Sequence, residues 1–236
     1  MSARERSGTE PSPPAPQVVA ERLGVIWRRI EGAGRDPYEI KVVAVTKSFG
    51  PGAVAAALEA GLSDVGENYA DELLDKAAAV SGSLLGGGRV RWHYLGSIQR
   101  RRVKDLAGVV DCWQTVSRVA EGEAIVTRQG SKNVMVEVEA TGLPGRNGCP
   151  AGSVAGLVGD LRSIGLDVRG LMTVGPPGPA ELSRTAFRTT AQLADALDLV
   201  ERSMGMSEDL EVAVQEGATM VRVGRALFGE RPLREP

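Results

Sequence analysis

Lys47 follows the run Val42-Val43-Ala44-Val45-Thr46, so an amine stands where a short apolar, β-branched segment ends. Desolvation at such a rim disfavours the ammonium and favours the neutral amine, the form that attacks an aldehyde carbon. Arg222 lies between Val221 and Val223 in a second apolar run. A guanidinium there needs acceptors for its protons, because an unpaired buried charge is costly. Two turns of small residues, Ser203-Met204-Gly205-Met206-Ser207 and Gly224-Arg225-Ala226, each lead into a helical segment. Backbone N–H groups at such turns, with the Ser207 hydroxyl, make a cradle for phosphate. Each feature alone has a plainer account: a lysine at a strand end is more often a snorkelling cap, and a lone histidine such as His93 is more often a satisfied core residue. Their weight depends on whether the fold brings them to one place.

Composition narrows the remaining chemistry. The chain of 236 residues carries 28 Lys+Arg against 30 Asp+Glu, a net charge of -2, which removes any chain-wide case for nucleic acid or an anionic membrane as partner. One histidine cannot form a metal cluster, and Cys112 and Cys149 lie in no C-x-x-C spacing, so zinc, iron–sulfur and thiol-redox readings are poor. Two reduced structural cysteines are expected. No apolar run approaches the roughly 20 residues that cross a bilayer. Residues 1–16, mixing charge, Ser and Pro without an apolar core, read as a disordered tail rather than a signal or transit peptide, which makes the cytoplasm the expected location. The run Arg100-Arg101-Arg102 with Lys104 reads as a solvated helix face, since neither interleaved aromatics nor a broader basic surface accompanies it.

From residue 17 the chain alternates two periods. Val19, Leu23, Ile26, Trp27 and Ile30 recur at helical spacing up to Gly32 and Gly34, and residues 40–45 form a strand apolar on both faces, the signature of a buried parallel sheet. Further strands are expected at 62–65, 92–95, 109–113, 133–138, 168–172, 199–204 and 219–223. The intervening helices fall at 53–60, 69–80, 98–106, 117–127, 154–164, 182–197 and 208–215. Eight strands alternating with helices imply right-handed parallel crossovers and a (β/α)8 TIM barrel over 17–236, preceded by an extra N-terminal helix. An open doubly wound sheet is the alternative, weakened because no G-x-G-x-x-G turn follows the first strand. The Gly-rich segments 81–88 and 175–178 read as loops, lacking a Walker lysine.

In such a barrel the reacting groups sit at the C-terminal strand ends, which is where Lys47, Gly66-Glu67-Asn68, Met172-Thr173, the Ser203–Ser207 turn and Arg222-Val223-Gly224 fall. An amine, an arginine and a phosphate cradle at one mouth describe pyridoxal 5′-phosphate: an aldehyde for Lys47, a ring nitrogen for Arg222, a phosphate for the turns.

The motifs Val43-Ala44-Val45-Thr46-Lys47, Gly66-Glu67-Asn68-Tyr69, Trp92-His93-Tyr94-Leu95-Gly96, Gly170-Leu171-Met172, Ser203-Met204-Gly205-Met206-Ser207 and Val221-Arg222-Val223-Gly224 with Phe228-Gly229 resemble the pyridoxal phosphate homeostasis protein family. It is also called the proline synthetase co-transcribed protein family and is related to the N-terminal barrel of alanine racemase. The resemblance runs from about Val18 to Arg231. It implies an internal aldimine on Lys47, Arg222 facing the pyridine nitrogen, a phosphate held by Ser207, Gly224 and Arg225, and Asn68 and Met172 at the ring. His93 is implied only as a barrel-lining neighbour. Where the family commonly has Thr after the glycine, this chain has Arg225: its backbone N–H still serves a phosphate, while its charge either adds to anion binding or points to solvent.

Two activities fit these residues. A racemase needs proton donors on both faces of a carbanion, and the related racemase takes its opposite-face tyrosine from an added C-terminal β domain. The sequence given stops at Pro236, shortly past the last strand, so no such domain is expected, and Tyr38, Tyr69 and Tyr94 lie outside the best ligand positions. An arginine at the ring nitrogen donates without protonating it, which weakens the ring as an electron sink. The expected function is therefore non-catalytic: a carrier and regulator of pyridoxal phosphate supply, a monomer or weak dimer that hands the cofactor to apo pyridoxal phosphate enzymes. A pyridoxal phosphate-dependent amino-acid racemase is the alternative.

Overall fold

A computed structural model describes residues 13–80, 89–130 and 132–230. The strands β1 (Lys41–Val45), β2 (Asp64–Glu67), β3 (Arg91–Tyr94), β4 (Cys112–Val116), β5 (Asn133–Glu139), β7 (Asp167–Met172), β8 (Glu201–Ser203) and β9 (Met220–Val223) pair in the order β4-β3-β2-β1-β9-β8-β7-β5. The pairing of β4 with β5 closes the ring, and every pairing is parallel. This is the (β/α)8 barrel. The helices α1 (Pro16–Gly32), α2 (Pro51–Glu59), α3 (Ala70–Val80), α4 (Arg100–Leu106), α5 (Val119–Gln129), α6 (Val154–Ser163), α7 (Arg184–Ala196), α8 (Leu210–Gln215) and the single turn α9 (Arg225–Phe228) complete it. No described helix is long and apolar enough to cross a membrane.

The helices bury their stripes against the outward residues of the strands. One apolar cluster gathers Trp92, Trp113, Val134, Leu161 and Leu171, and a second Val42, Ala44, Phe187, Val221 and Val223 with Val19, Leu23, Ile26 and Ile30 of α1. Cys112 and Cys149 are buried free thiols. Arg29 ties α1 to the far end of the chain, pairing with Glu211 at 2.6 Å and donating to the Ser207 carbonyl at 2.9 Å.

Several expectations shift. Trp27 leaves the buried stripe of α1, is 37 % exposed, and packs its ring 6.1 Å from that of Tyr38. The second strand begins two residues late, because Leu62 donates back to Ala57 and still belongs to the end of α2. The fourth runs 112–116 rather than 109–113. Val109 and Val110 both donate to Leu106 and finish the α4 turn, whereas Gln114 and Thr115, whose polarity resembles a strand end, are buried with satisfied side chains. A 3-10 turn, Ala180–Ser183, precedes α7, and the two-residue strand β6 (Cys149–Pro150), which the apolar pattern does not signal, pairs with the end of β5. Most of the expected tail, residues 1–12, and the loop 81–88 lie outside the described residues.

Candidate functional site

Strand parity decides what reaches the barrel mouth. In β1 Val43 faces inward and Val42 outward, so Val45 and then Lys47 follow on the inner side. Lys47 is the second residue of a turn closed by the Phe49 N–H on the Thr46 carbonyl at 3.1 Å, and Ser48 adopts φ 68°, a conformation that costs a non-glycine residue of order 1 kcal/mol or more. A buried network holds that turn. The Lys76 ammonium donates to the Thr46 carbonyl at 2.8 Å, to Glu67 Oε1 at 2.5 Å and to Glu72 Oε2 at 3.2 Å, while the Thr46 hydroxyl donates to Glu67 Oε1 at 2.6 Å and the Ser48 N–H to Glu72 Oε2 at 2.8 Å. Burial pushes the Glu67 carboxyl up from its ordinary value, against the pull of the Lys76 ammonium. Lys47 itself is half-buried and lines the cavity at the mouth.

Arg222 is buried on the inner face of β9. Its Nη1 donates to the Ser203 carbonyl at 2.6 Å and the Ser203 hydroxyl at 2.8 Å, and its Nη2 to the Thr173 carbonyl at 2.8 Å. Burial pulls its pKa down to about 10, and the carboxylates of Asp209 and Glu137 oppose that fall.

The two small-residue turns lie side by side. Gly205 takes φ 91°, and a Cβ there would stand 2.5 Å from that of Ala213, so only glycine fits the first turn. A Cβ at Gly224 would come within 3.1 Å of the Val45 carbonyl oxygen, which keeps the backbone of the second turn open beside β1. The Ser207 hydroxyl accepts the Ala226 N–H at 3.1 Å, joining the turns, and Asp209 Oδ1 takes the Met206 N–H at 2.7 Å before α8 begins. Arg225 pairs with Glu208 at 2.6 Å at the rim of the mouth, both side chains being exposed.

Lys47, Asn68, Met172, Ser207, Arg222, Gly224 and Arg225 all line one cavity of about 450 Å³, within the range of small-molecule sites. The residues expected from sequence thus converge. His93 does not line it and lies deeper in the barrel, between Asp64 and Gln114. Tyr69, next to the lining Asn68, is half-exposed, Tyr38 is solvent-exposed, and no tyrosine lines the cavity among the described residues. The loop 175–178 forms one wall.

Several lining residues went unforeseen, among them the charged Glu137, Arg146 and Asp209. Glu137 shares the inward parity of Met135, a signal legible in Asn133-Val-Met-Val-Glu once the direction of Met135 is known. Burial pushes its carboxyl up to about 7, against Arg222 and Arg146. Arg146 ties the wall of the cavity by donating to the carbonyls of Val174 at 3.0 Å and Gly175 at 2.8 Å.

An inward amine, a guanidinium held by backbone carbonyls and two adjoining turns match the aldehyde, ring nitrogen and phosphate of pyridoxal 5′-phosphate. The alanine racemase N-terminal domain family model matches residues 27–232. The pyridoxal phosphate homeostasis protein of Pseudomonas aeruginosa is 34 % identical over 93 % of this chain and 98 % of its own. That of Escherichia coli K12 is 29 % identical over 90 % and 97 %. Among solved structures, PipY of Synechococcus elongatus with pyridoxal phosphate bound superposes with a TM-score of 0.76 at 28 % identity, over 89 % of this chain and all of that one. An alanine racemase of Clostridium difficile, 17 % identical with a TM-score of 0.66, shares the fold across 58 % of its length.

Proposed function

Because the chain belongs to the pyridoxal phosphate homeostasis protein family, built on the alanine racemase N-terminal domain, we propose that its barrel, residues 17–236, binds pyridoxal 5′-phosphate as a non-catalytic carrier. The convergence of Lys47, Arg222 and the two turns on one cavity carries this reading. Lys47 would hold the cofactor through its aldehyde carbon, its neutral amine supplying the nucleophile for a Schiff-base linkage with loss of water. Arg222 donates to the ring nitrogen. The Ser207 hydroxyl and the backbone N–H groups of Gly224 and Arg225 take the phosphate, and Asn68 and Met172 flank the ring.

Two features favour carriage over turnover. Arg222 has three of its five N–H groups on the barrel frame and has no proton to give up at neutral pH, so it leaves a ring nitrogen unprotonated and the ring a weak electron sink. No tyrosine stands in the described cavity wall to act as a second base. The cofactor would then be stored in the cytoplasm and released to apo pyridoxal phosphate enzymes, the protein being a monomer or weak dimer.

Wild-type protein should show a visible band that borohydride removes, and Lys47→Ala should lose it without unfolding. Of the other lysines, Lys76 is committed to Glu67 and Lys41 pairs with Glu201 at the start of β1, far from the mouth. A reducible linkage mapped to either would sink the assignment. Incubation with L- or D-alanine, followed by chiral chromatography, should show no racemisation; Lys47-dependent turnover of about 1 to 10³ per second would establish the racemase instead.

A further inference from the structure

The interior of a parallel barrel is ordinarily filled by layers of Val, Ile and Leu. Here five polar side chains run through it. Arg222 on β9 donates to the Ser203 hydroxyl on β8 at 2.8 Å; that hydroxyl donates to Gln114 Oε1 on β4 at 2.7 Å; Gln114 Nε2 stands 2.8 Å from His93 Nδ1 on β3; and His93 Nε2 stands 2.9 Å from Asp64 Oδ1 on β2. All five residues are buried. Strands β8 and β4 are not neighbours in the ring, so the Ser203–Gln114 bond crosses the interior.

The ends, together with the Ser203 hydroxyl donating to Gln114 Oε1, orient the links. A guanidinium only donates and a carboxylate only accepts. With Arg222 donating to it, the Ser203 oxygen spends its own proton on Gln114 Oε1. The amide nitrogen then faces His93 Nδ1, an arrangement that suits an imidazole accepting at Nδ1 and carrying its proton on Nε2, directed at Asp64. The chain is polarised throughout, cation at the cavity and carboxylate at the opposite end. Burying it costs free energy that an aliphatic core would not, and what it returns is a fixed orientation.

We propose that Ser203, Gln114 and His93 are positioning residues for Arg222, holding its guanidinium as a pure donor toward the cavity and transmitting a change of partner there to His93 and Asp64. The inference rests on the proposed cofactor reading of the cavity. Ligation of Arg222 by a ring nitrogen draws on the same guanidinium that polarises the Ser203 hydroxyl, and each link passes the change along.

The chain contains one histidine, so ¹⁵N-histidine labelling of the full-length protein gives one imidazole to observe. Without cofactor, wild-type His93 should be the Nε2–H tautomer; the Nδ1–H tautomer would overturn the polarity and the proposal. Adding pyridoxal 5′-phosphate should shift both ring nitrogens as the Lys47-dependent band forms, and inorganic phosphate, confined to the turns, should not. Gln114→Leu and, separately, Ser203→Ala should keep the band, abolish the His93 response and move the absorption maximum. If the band forms while His93 stays unmoved, or responds equally in both variants, the positioning role is wrong and the cofactor reading stands. If wild-type protein forms no Lys47-dependent band, the cofactor reading falls and this inference with it.

Discussion

The two ends of the barrel interior treat a carboxylate in opposite ways. At the start of β2, Asp64 accepts from His93 Nε2 at 2.9 Å and from Arg91 Nη2 at 2.5 Å; burial works against its ionisation, but these donors outweigh it and hold the pKa at about 2. Near the end of β5, Glu137 accepts no side-chain hydrogen bond among the described residues, and burial pushes it up to about 7. Donors already committed make the lower end structural. A carboxyl enclosed beside Arg222 and Arg146 without such donors makes the upper end a place where an incoming group changes the electrostatics, as expected of a binding mouth.

The largest test of that contrast removes the lower carboxylate. Asp64→Ala strands His93 Nε2 and Arg91 and should cost about 3 kcal/mol, read by urea unfolding at neutral pH. The same group sets an acid limb. Its folded pKa lies below the ordinary 3.8, so its stabilisation is present above pH 4 and lost as pH falls through about 2. The displacement is worth about 2.5 kcal/mol in full and about 2 kcal/mol after screening near the exposed Arg91. An acid limb unchanged in Asp64→Asn would show that other carboxylates produce it.

Glu137 should act with the opposite sign. Its folded pKa lies above the ordinary 4.5, so the stability it contributes is whole below pH 4.5 and is lost as pH rises through about 7. The full displacement is about 3 kcal/mol, and water in the open cavity should leave about half. Glu137→Gln should flatten stability between pH 4.5 and 7 and leave the acid limb of Asp64 untouched. Identical pH profiles for wild type and Glu137→Gln would mean that the carboxyl is solvated in the mouth and that the contrast fails.

How much of this was legible in the sequence follows from which forces are local. Alternation of periods places the eight barrel strands and the helices because each segment's apolar pattern is its own. Lys47, Arg222 and Ser207 could be singled out since each combines a polar group with an apolar run or small-residue turn. Interior polarity was less readable. Gln114 and Thr115 look like the end of a strand, yet they are buried because partners on β3, β8 and the Gly96 carbonyl satisfy them, and those partners are remote in sequence. Glu137 and Arg146 escaped for a related reason: the inward parity of Glu137 is defined by the closed ring, and Arg146 lies in a connection whose partners, the Val174 and Gly175 carbonyls, are remote in sequence. Lys76 reads as one charge on an alanine-rich helix until α3 lays it against Glu67 and the Thr46 carbonyl.

The smallest expected effect concerns Arg225, a charge beside the mouth that the fold does not enclose. Its guanidinium pairs with Glu208 at the surface, where such a pair contributes less than about 0.5 kcal/mol, so Arg225→Thr should leave stability nearly unchanged. Retention of pyridoxal 5′-phosphate tests more. If the phosphate is held by the Ser207 hydroxyl and the N–H groups of Gly224 and residue 225, the substitution preserves those donors and adds a hydroxyl. Affinity should then stay within about threefold of wild type, a difference below about 0.7 kcal/mol, with the same dependence on salt. A guanidinium that turned from Glu208 to the phosphate would behave otherwise. Its loss would weaken binding by about tenfold or more, corresponding to about 1.5–3 kcal/mol for a hydrogen bond to a charged group, and would flatten the salt dependence. Dialysis against rising salt, followed by the absorbance of the retained cofactor, separates the two outcomes. The weaker effect would place the anion's holding groups in the backbone of the turns and leave Arg225 a surface charge.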